Sequence, residues 1–242
     1  MSITAKDVNE LRKKTGAGMM DCKKALTESN GDMEQAIDFL RKKGQKIAAK
    51  RGDRDAKEGL VIAKSANGIG YLICLNCETD FVAKNDEFIK LVHFFIDQAL
   101  ENNVSSLDEL LKMNYLESGL TIAEKIVEQS GVIGEKIEVS YFEKIDAVKV
   151  VAYNHPGNQI ASLVGLTLDA EEIGKQVAMQ VAAMNPIALD QDSVSQDVID
   201  REIEVGKDLA IQEGKPEDMA EKIAKGRLNK FFKETTLVNQ AF

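Results

Sequence analysis

The chain has 242 residues, of which 44% are hydrophobic and only 5% aromatic, so it can bury one large core or two modest ones. No apolar run approaches the roughly 20 residues of a membrane-spanning helix, and the start lacks the apolar segment of a secretory signal, so we expect a soluble, cytoplasmic protein with no membrane partner. Three cysteines exclude a disulfide framework, and the net charge of −9 argues against nucleic-acid binding by the chain as a whole.

The charge is unevenly distributed along the chain. Residues 1–57 contain 14 Lys and Arg against 9 Asp and Glu, a balance near +5, whereas the remainder contains 17 against 31, a balance near −14. A basic segment of this size could contact RNA or an acidic protein surface, but solvated charges on small helices are the simpler explanation. Charge alone therefore does not assign a function.

Residues 1–55 are predicted to form three short helices and a linker. The turn at residues 15–18 separates the first two helices, Asn30-Gly31 closes the second, and Asp32 caps the third. Apolar residues recur within them often enough for one compact three-helix module. After Gly44 the sequence becomes charged and glycine-containing, which indicates an exposed connector that is at most partly helical. We place a domain boundary near residue 55.

Residues 56–145 are predicted to form the first half of an α+β core. Two alternating runs, LVIAKS and YLICLNC, are separated by a turn at Asn67-Gly68, a pattern typical of a β-hairpin. Apolar residues at helical spacing in 88–99 predict a helix that packs on this hairpin, with Asn85 or Asp86 as its cap. Two capping boxes predict further helices, one from Ser106 with Glu109 and one from Thr121 with Glu124.

Residues 146–242 are predicted to form the second half of the core. Three β-rich runs cross the boundary between the halves: KIEVSYFEKI at 136–145 ends the first half, and AVKVVAYN and QIASLVGLTL begin the second. The helix after them ends before Pro186. A cap at Ser193 and a break at residues 213–216 predict an antiparallel helical hairpin at about 193–233. Its expected apolar seam is narrow, so the rest of its surface should face water or a partner, and it should project from the body. The seam residues we expect are Val198, Val205, Leu209, Met219, Ile223 and Phe231.

Residues that could carry chemistry are few, and they favour a binding protein over an enzyme. Cys74 and Cys77 are the members of a lone CxxC inside a strand, which places their thiols on opposite faces and predicts no metal site. His93 is expected to be a packed or surface residue. His155 lies in a Pro-Gly turn, where a binding role and plain exposure remain equally open. Neither GxxxxGK[ST] nor GxGxxG is present, so we expect no cofactor and no direct nucleotide binding.

Three segments give the chain a resemblance to a known family. LRKKTGAGMMDCKKAL at 11–26, NCETDFVAKND at 76–86 and the tail 194–242 with its final LVNQAF closely resemble bacterial elongation factor Ts. The matching segments occur in the same order over essentially the whole chain. The resemblance implies a ubiquitin-associated-like three-helix domain, a two-part antiparallel-sheet-plus-helices core and an inserted coiled-coil hairpin. It also implies a guanine nucleotide exchange factor that promotes GDP release from elongation factor Tu during translation elongation.

The resemblance also implies which residues contact the partner. The TDFV stretch is expected to press on the nucleotide-binding domain of elongation factor Tu, displacing magnesium and disturbing the phosphate-binding loop. The family's usual HGxRIG pattern is altered by Pro156, and Gln180 stands where many members have histidine. The four residues of the stretch are Thr79, Asp80, Phe81 and Val82, and the further contact positions are Leu11, Met19, Met20, Ile133, Gly134 and His155.

Among these residues, Phe81 is the one that we most expect to contact the partner, on physical grounds. An aromatic side chain at an exposed strand-to-helix loop can bury on the order of 150–250 Å² in a partner, enough for an interface anchor. Without the resemblance, Phe81 would be expected to pack on its own helix. Asp80 could bond partner groups or cap its own loop.

Two functions from other classes compete with nucleotide exchange. A ribosome- or RNA-associated adaptor could use the basic first domain, and its binding should then weaken steeply with salt, whereas a hydrophobic interface should persist. A ubiquitin-binding protein would use the three-helix module but would leave the core and the hairpin unexplained. No nucleophile–base set or metal cluster supports covalent catalysis.

Overall fold

The structure is a computed structural model that describes residues 3–116 and 119–242. Helices and antiparallel sheets are mixed along the chain, as the predicted α+β class requires. In chain order the helices and strands are α1 (Ala5–Thr15), α2 (Met19–Glu28), α3 (Met33–Arg51), β1 (Glu58–Ala66), β2 (Ile69–Cys77), α4 (Asp80–Ala83), α5 (Asp86–Glu101), α6 (Leu107–Lys112), β3 (Asn114–Tyr115), β4 (Leu120–Thr121), α7 (Ile122–Ile133), β5 (Glu138–Asp146), β6 (Lys149–Asn154), β7 (Ala161–Leu166), α8 (Glu171–Met184), α9 (Gln196–Gln212) and α10 (Glu217–Thr235).

The chain divides into two compact units, one that ends at Gly174 and one that comprises Lys175–Phe242. The domain boundaries expected near residues 55 and 145 stay predictions. Among the described residues, no helix has both the length and the apolar character that crossing a membrane requires.

The three helices α1–α3 form in the predicted order because their ends are specified locally. Thr4 and Asp7 form a capping box at the start of α1, and Asp32 caps α3 by accepting the Gln35 N–H, as predicted. The helices enclose a small apolar core of their own. Its buried members are Val8, Leu11, Ala17, Cys22, Ala25, Leu26 and Ala36.

Helix α3 continues through Gly44 to Arg51, so the predicted connector is helical in its first part, where residues 45–51 are exposed or half-buried. Gly44 is buried against α7, and a Cβ added to Gly131 would lie 2.1 Å from the Gly44 Cα. The two glycines therefore allow the backbones of α3 and α7 to touch. In this chain Gly44 marks a helix crossing, whereas sequence reasoning took it as the end of a helix.

The first predicted hairpin is confirmed, and it belongs to a three-stranded sheet of order β1-β2-β5. Asn67 and Gly68 both have positive φ, 53° and 79°, as a type I′ hairpin turn requires. Strand β5 pairs with β2 and not with the following strand β6, which pairs with β7 instead. Helix α5 packs on the three-stranded sheet, and its buried residues include Phe88, Val92 and Phe95.

The second unit contains the predicted helical hairpin, but small residues pack its two helices together. Helices α9 and α10 flank a turn at 213–216, and Gly206 lies so close that an added Cβ would be 3.1 Å from the Ala224 Cα. Ala210 and Ala220 are also buried. The expected seam residues Val205, Leu209 and Met219 are exposed instead. Helix α9 begins at Gln196 after Ser195, two residues later than the predicted cap at Ser193.

Candidate partner-binding site

The TDFV stretch provides the cap and the first three residues of a one-turn helix, α4, where an exposed strand-to-helix loop was predicted. Strand β2 ends at Cys77, α4 begins at Asp80, and Asn85 caps α5 by accepting the Glu87 N–H. Thr79 occupies the N-cap position of α4 with extended dihedral angles, φ −128° and ψ 151°. Helix α4 is therefore a separate short helix between the end of β2 and the start of α5.

Phe81 and Val82 point in different directions from α4. Val82 packs against the main core beside α5, whereas the Phe81 residue is 83% exposed. Neighbours on a helix do not share a face, so burial of Val82 sends Phe81 outwards. The alternative in which Phe81 packs on its own helix is therefore wrong.

Asp80 is engaged within its own helix. Its carboxylate accepts a hydrogen bond from Lys84 Nζ at 2.7 Å, one helical turn further along. This bond and the Lys84 charge lower the pKa of Asp80, and the same bond and the Asp80 charge raise the pKa of Lys84. Both side chains face solvent, so the pair can open when another partner for the carboxylate arrives.

Glu135 holds the base of α4 through three hydrogen bonds. Its Oε2 accepts the N–H groups of Glu78 and Thr79, each at 3.0 Å. Its Oε1 accepts the Thr79 hydroxyl at 2.7 Å. Because the hydroxyl is used there, Thr79 makes no side-chain cap on α4.

Glu78 completes a reciprocal arrangement. Its carboxylate accepts the Lys136 N–H at 2.7 Å, so each glutamate bonds the backbone beside the other. The guanidinium of Arg51 donates to both Glu78 oxygens at 2.8 and 2.9 Å, and Arg54 donates to one at 3.0 Å. We call Glu78 and Glu135 with these partners the glutamate clamp. It joins the end of α3, the start of α4 and the start of β5.

The charge of Glu78 is strongly stabilised in the fold. Its side chain is only 14% exposed, and burial by itself would raise the pKa of the carboxyl. The Lys136 N–H and the guanidinium groups of Arg51 and Arg54 outweigh that penalty and lower the pKa from 4.5 to about 2. Sequence reasoning missed the clamp because its two glutamates are 57 residues apart, and nothing in NCETD or IGEK alone indicates that they meet.

An open groove brings several predicted site residues together. Its volume is about 530 Å³, and Phe81, Val82 and Ile133 line it together with the end of α1 at 13–16. Tyr115 and Lys125 also line it, with the Lys125 ammonium 5.1 Å from the Tyr115 ring centre. The groove is therefore partly aromatic, and its charged lining residues are Lys13, Lys14, Lys125 and Glu87.

The three predicted residues of the N-terminal module differ in accessibility. Leu11 is 0% exposed in the core of the module, so its side chain holds the three helices together and has no free surface. Met19 and Met20 on α2 are 54% and 74% exposed. Exposed methionines are adaptable apolar contacts.

Gly134 and His155 lie at the end of a helix and in a turn. Gly134 ends α7 with φ 80°, and a Cβ there would meet no atom within 4 Å, so its backbone angle and not crowding favours glycine. His155 is exposed between β6 and β7, and its ring Nδ1 lies 2.9 Å from the Tyr153 hydroxyl. The backbone N–H of His155 donates to the Ile160 carbonyl. Pro156 is accommodated in the exposed turn.

The remaining candidates from the sequence are Gln180, Cys77 and Cys74, and their contacts and burial fit structural roles. Gln180 donates to the Gln240 side chain at 3.4 Å and the Ala241 carbonyl at 3.2 Å, within the second unit. Cys77 is buried, and burial raises the pKa of its thiol to about 11. Cys74 is half-buried on the other face of β2. In residues 3–116 and 119–242, no group of three His, Cys, Asp or Glu side chains is arranged to hold a metal ion.

Comparisons with known proteins match the chain over almost its full length. The sequence profile of a family described as Elongation factor TS matches residues 78–242. The elongation factor Ts of Christiangramia forsetii is 56% identical over 99% of this chain and 88% of its own length. Those of Flavobacterium psychrophilum and Porphyromonas gingivalis are 52% and 44% identical, each over 100% of this chain and 88% of their own length. The chain therefore belongs to the elongation factor Ts family.

Proposed function

We propose that this protein is a guanine nucleotide exchange factor that binds elongation factor Tu and accelerates GDP release during translation elongation. Family membership supports the partner, and one structural observation supports the mode of action: Phe81 is 83% exposed on a helix whose base is tied down by the glutamate clamp. Phe81 lies with Val82 and Ile133 at one open groove, so the apolar surface offered to a partner is larger than a single side chain. No covalent step is part of this proposal.

Phe81 acts as the wedge. Burial of its ring in a partner pocket removes on the order of 150–250 Å² from water, which is enough for a single anchor residue. Thr79, Asp80 and Val82 belong to the same contact. Thr79 and Val82 are held by the protein's own core and clamp, whereas Asp80 can exchange Lys84 for a donor on the partner.

The thermodynamic mechanism is linkage. A factor that binds the nucleotide-free partner more tightly than the GDP-bound partner must weaken GDP binding by the same ratio. Exchange then requires only differential binding. The wedge contributes by displacing the partner's magnesium, which removes positive charge from the phosphates, and by disturbing the backbone donors of the phosphate-binding loop.

Other exposed positions extend the interface. Met19 and Met20 suit a docking surface on the N-terminal module, which we propose is a ubiquitin-associated-like domain. Ile133 lies in the groove with Phe81, and Gly134 and His155 provide further contacts. Leu11 supports the module from inside. We also propose that the α9–α10 hairpin is the family's coiled-coil contact with the partner.

The test is the dissociation rate of fluorescent GDP from purified elongation factor Tu, measured with and without this protein at micromolar concentration. We expect strong acceleration by the wild type and a loss of about tenfold or more in Phe81→Ala, since truncating an anchor aromatic costs about 2 kcal/mol or more. Tyr141→Ala, which removes another exposed aromatic ring, is the matched control and should leave the rate unchanged. An unaffected rate in Phe81→Ala would exclude the wedge.

A further inference from the structure

The exposure of Phe81 raises the question of what fixes its direction. A side chain that is 83% exposed is not oriented by packing, so its position depends on the backbone of α4. Helix α4 has four residues, Asp80–Ala83, and a helix of one turn is not stable by itself in water because nucleation is unfavourable. Contacts from elsewhere must therefore hold it.

Three kinds of contact hold α4, and they differ in how far they constrain it. The Asp80–Lys84 pair lies on the exposed side and moves with the helix. Val82 and Ala83 are only partly buried against the main core, which fixes one face but not the start of the helix. Glu135 bonds the start itself, from the far end of α7.

The bonds from Glu135 are suited to fixing an orientation. A carboxylate that accepts two backbone N–H groups and a hydroxyl defines the position of the Glu78-Thr79 peptide in more than one direction. The reciprocal bond from the Lys136 N–H to Glu78 prevents the two segments from sliding past each other. Phe81 follows Thr79 by two residues, so a rotation of that peptide is carried directly to the aromatic ring.

We propose that Glu135 is a positioning residue for nucleotide exchange, holding Thr79 and α4 so that Phe81 projects in the direction that the partner requires. The inference rests on the proposed function and deepens it. Glu135 acts through Thr79, and it does not itself contact the nucleotide.

The first readout separates positioning from affinity. Glu135→Ala removes the acceptor of both N–H groups and of the hydroxyl. Glutamine would not, because its carbonyl oxygen can accept the two N–H groups while its NH₂ group donates to the hydroxyl. With saturating exchange factor, the GDP release rate should fall on the order of tenfold, while the half-saturating concentration changes less than about twofold, because other contacts still dock the protein. Glu138→Ala removes a nearby carboxylate that bonds the Lys136 ammonium at 3.0 Å, and it should behave as the wild type.

The second readout is the double variant. In a Phe81→Ala background, Glu135→Ala should cause no further loss beyond about twofold, since there is no ring left to position. If the two losses multiply, Glu135 acts independently of Phe81 and the inference is overturned. A GDP release rate in Glu135→Ala equal to that of the wild type would also overturn it. Failure of the wild type to accelerate GDP release would overturn the proposed function and this inference together.

A third readout needs no partner and detects a variant that fails to fold. Chymotrypsin cleaves after exposed aromatic residues once the local backbone is loose. Glu135→Ala should be cut after Phe81 severalfold faster than the wild type and Glu138→Ala, with the rest of the chain intact. Cleavage throughout the chain would show global unfolding, and cleavage after Phe81 at the wild-type rate would overturn the inference.

Discussion

Phe81 and His155 both lie exposed at the end of a β-hairpin, yet different contacts hold their backbones. The start of α4, before Phe81, is fixed by side chains distant in sequence, Glu78 and Glu135. The His155 turn is closed by its own main chain and attached to the neighbouring strand by the Asn154 amide. The first arrangement fixes a direction but depends on charge, whereas the second depends mainly on backbone geometry. The following predictions test this difference.

The largest effect on stability is expected at the clamp. Glu78→Ala leaves the Lys136 N–H and the guanidinium of Arg51 without their acceptor in a site that is only 14% exposed at Glu78. We expect a loss of about 2–3 kcal/mol in the free energy of unfolding, since hydrogen bonds to charged groups are worth more than neutral ones. Urea unfolding at pH 7 measures the loss, with Glu138→Ala as the control. A loss below about 0.5 kcal/mol would show that the clamp contributes little.

The acid dependence of stability gives a sharper test of the same group. The pKa of Glu78 is lowered from 4.5 to about 2 in the folded protein, so its contribution is present above pH 4.5 and is lost as the pH falls towards 2. The difference in free energy of unfolding between the wild type and Glu78→Gln should therefore shrink between pH 5 and pH 3. Carboxylates common to both proteins cancel in this difference. A difference in the free energy of unfolding that stays constant with pH would contradict the lowered pKa of Glu78.

A smaller effect is expected from the amide that attaches the second hairpin. The Asn154 side chain accepts the Ala63 N–H at 2.7 Å and donates to the Ala63 carbonyl at 2.9 Å, as a paired strand residue would. Asn154→Ala should cost about 1–2 kcal/mol, because Ala63 is buried and two backbone groups lose a partner. Faster amide hydrogen exchange at Ala63, with no change at Thr79, is the measurement. If amide hydrogen exchange became equally faster at Ala63 and Thr79, the backbones of the two regions would not be held independently.

The smallest effect is expected at His155 itself. His155→Ala removes a contact with the Tyr153 hydroxyl at an exposed turn, and the turn keeps the main-chain bond to Ile160. The stimulated GDP release rate should fall less than about threefold, as is usual for a contact outside the central anchor. Tyr153→Phe, which loses only the hydroxyl, should change the rate even less. If His155→Ala lowered the stimulated GDP release rate as much as Phe81→Ala, the His155 turn would be as important for exchange as the Phe81 region.

Much of the fold could be predicted from local signals in the sequence. The Asn67-Gly68 turn, the cap at Asp32 and the helical spacing of 88–99 each act within a few residues and are confirmed. Of the two candidate caps of α5, Asn85 and Asp86, the structure uses Asn85. The signals that failed depend on distant partners. Gly44 looks like a helix end until Gly131 is placed against it, and nothing in β5 indicates that it pairs with β2 instead of β6.

The candidate site was predictable only in part. The resemblance pointed to Phe81, and the structure adds that Val82 packs inwards while Phe81 is left exposed. The resemblance could not distinguish Met20, which is exposed, from Leu11, which is buried, because both occur in the same matching segment. The glutamate clamp gave no local signal, since an isolated glutamate in a charged chain usually faces solvent.

The contact between Gly44 and Gly131 also bears on how the chain acquires its structure during synthesis. The two glycines are 87 residues apart, so at about 5–20 residues per second the partner of the second half of α3 is made roughly 4–17 s after Gly44 itself. During that interval the nascent module has its own apolar core but lacks α7, the helix on which Gly44 rests. The packing of α3 against α7 can therefore form only after Gly131 has been translated.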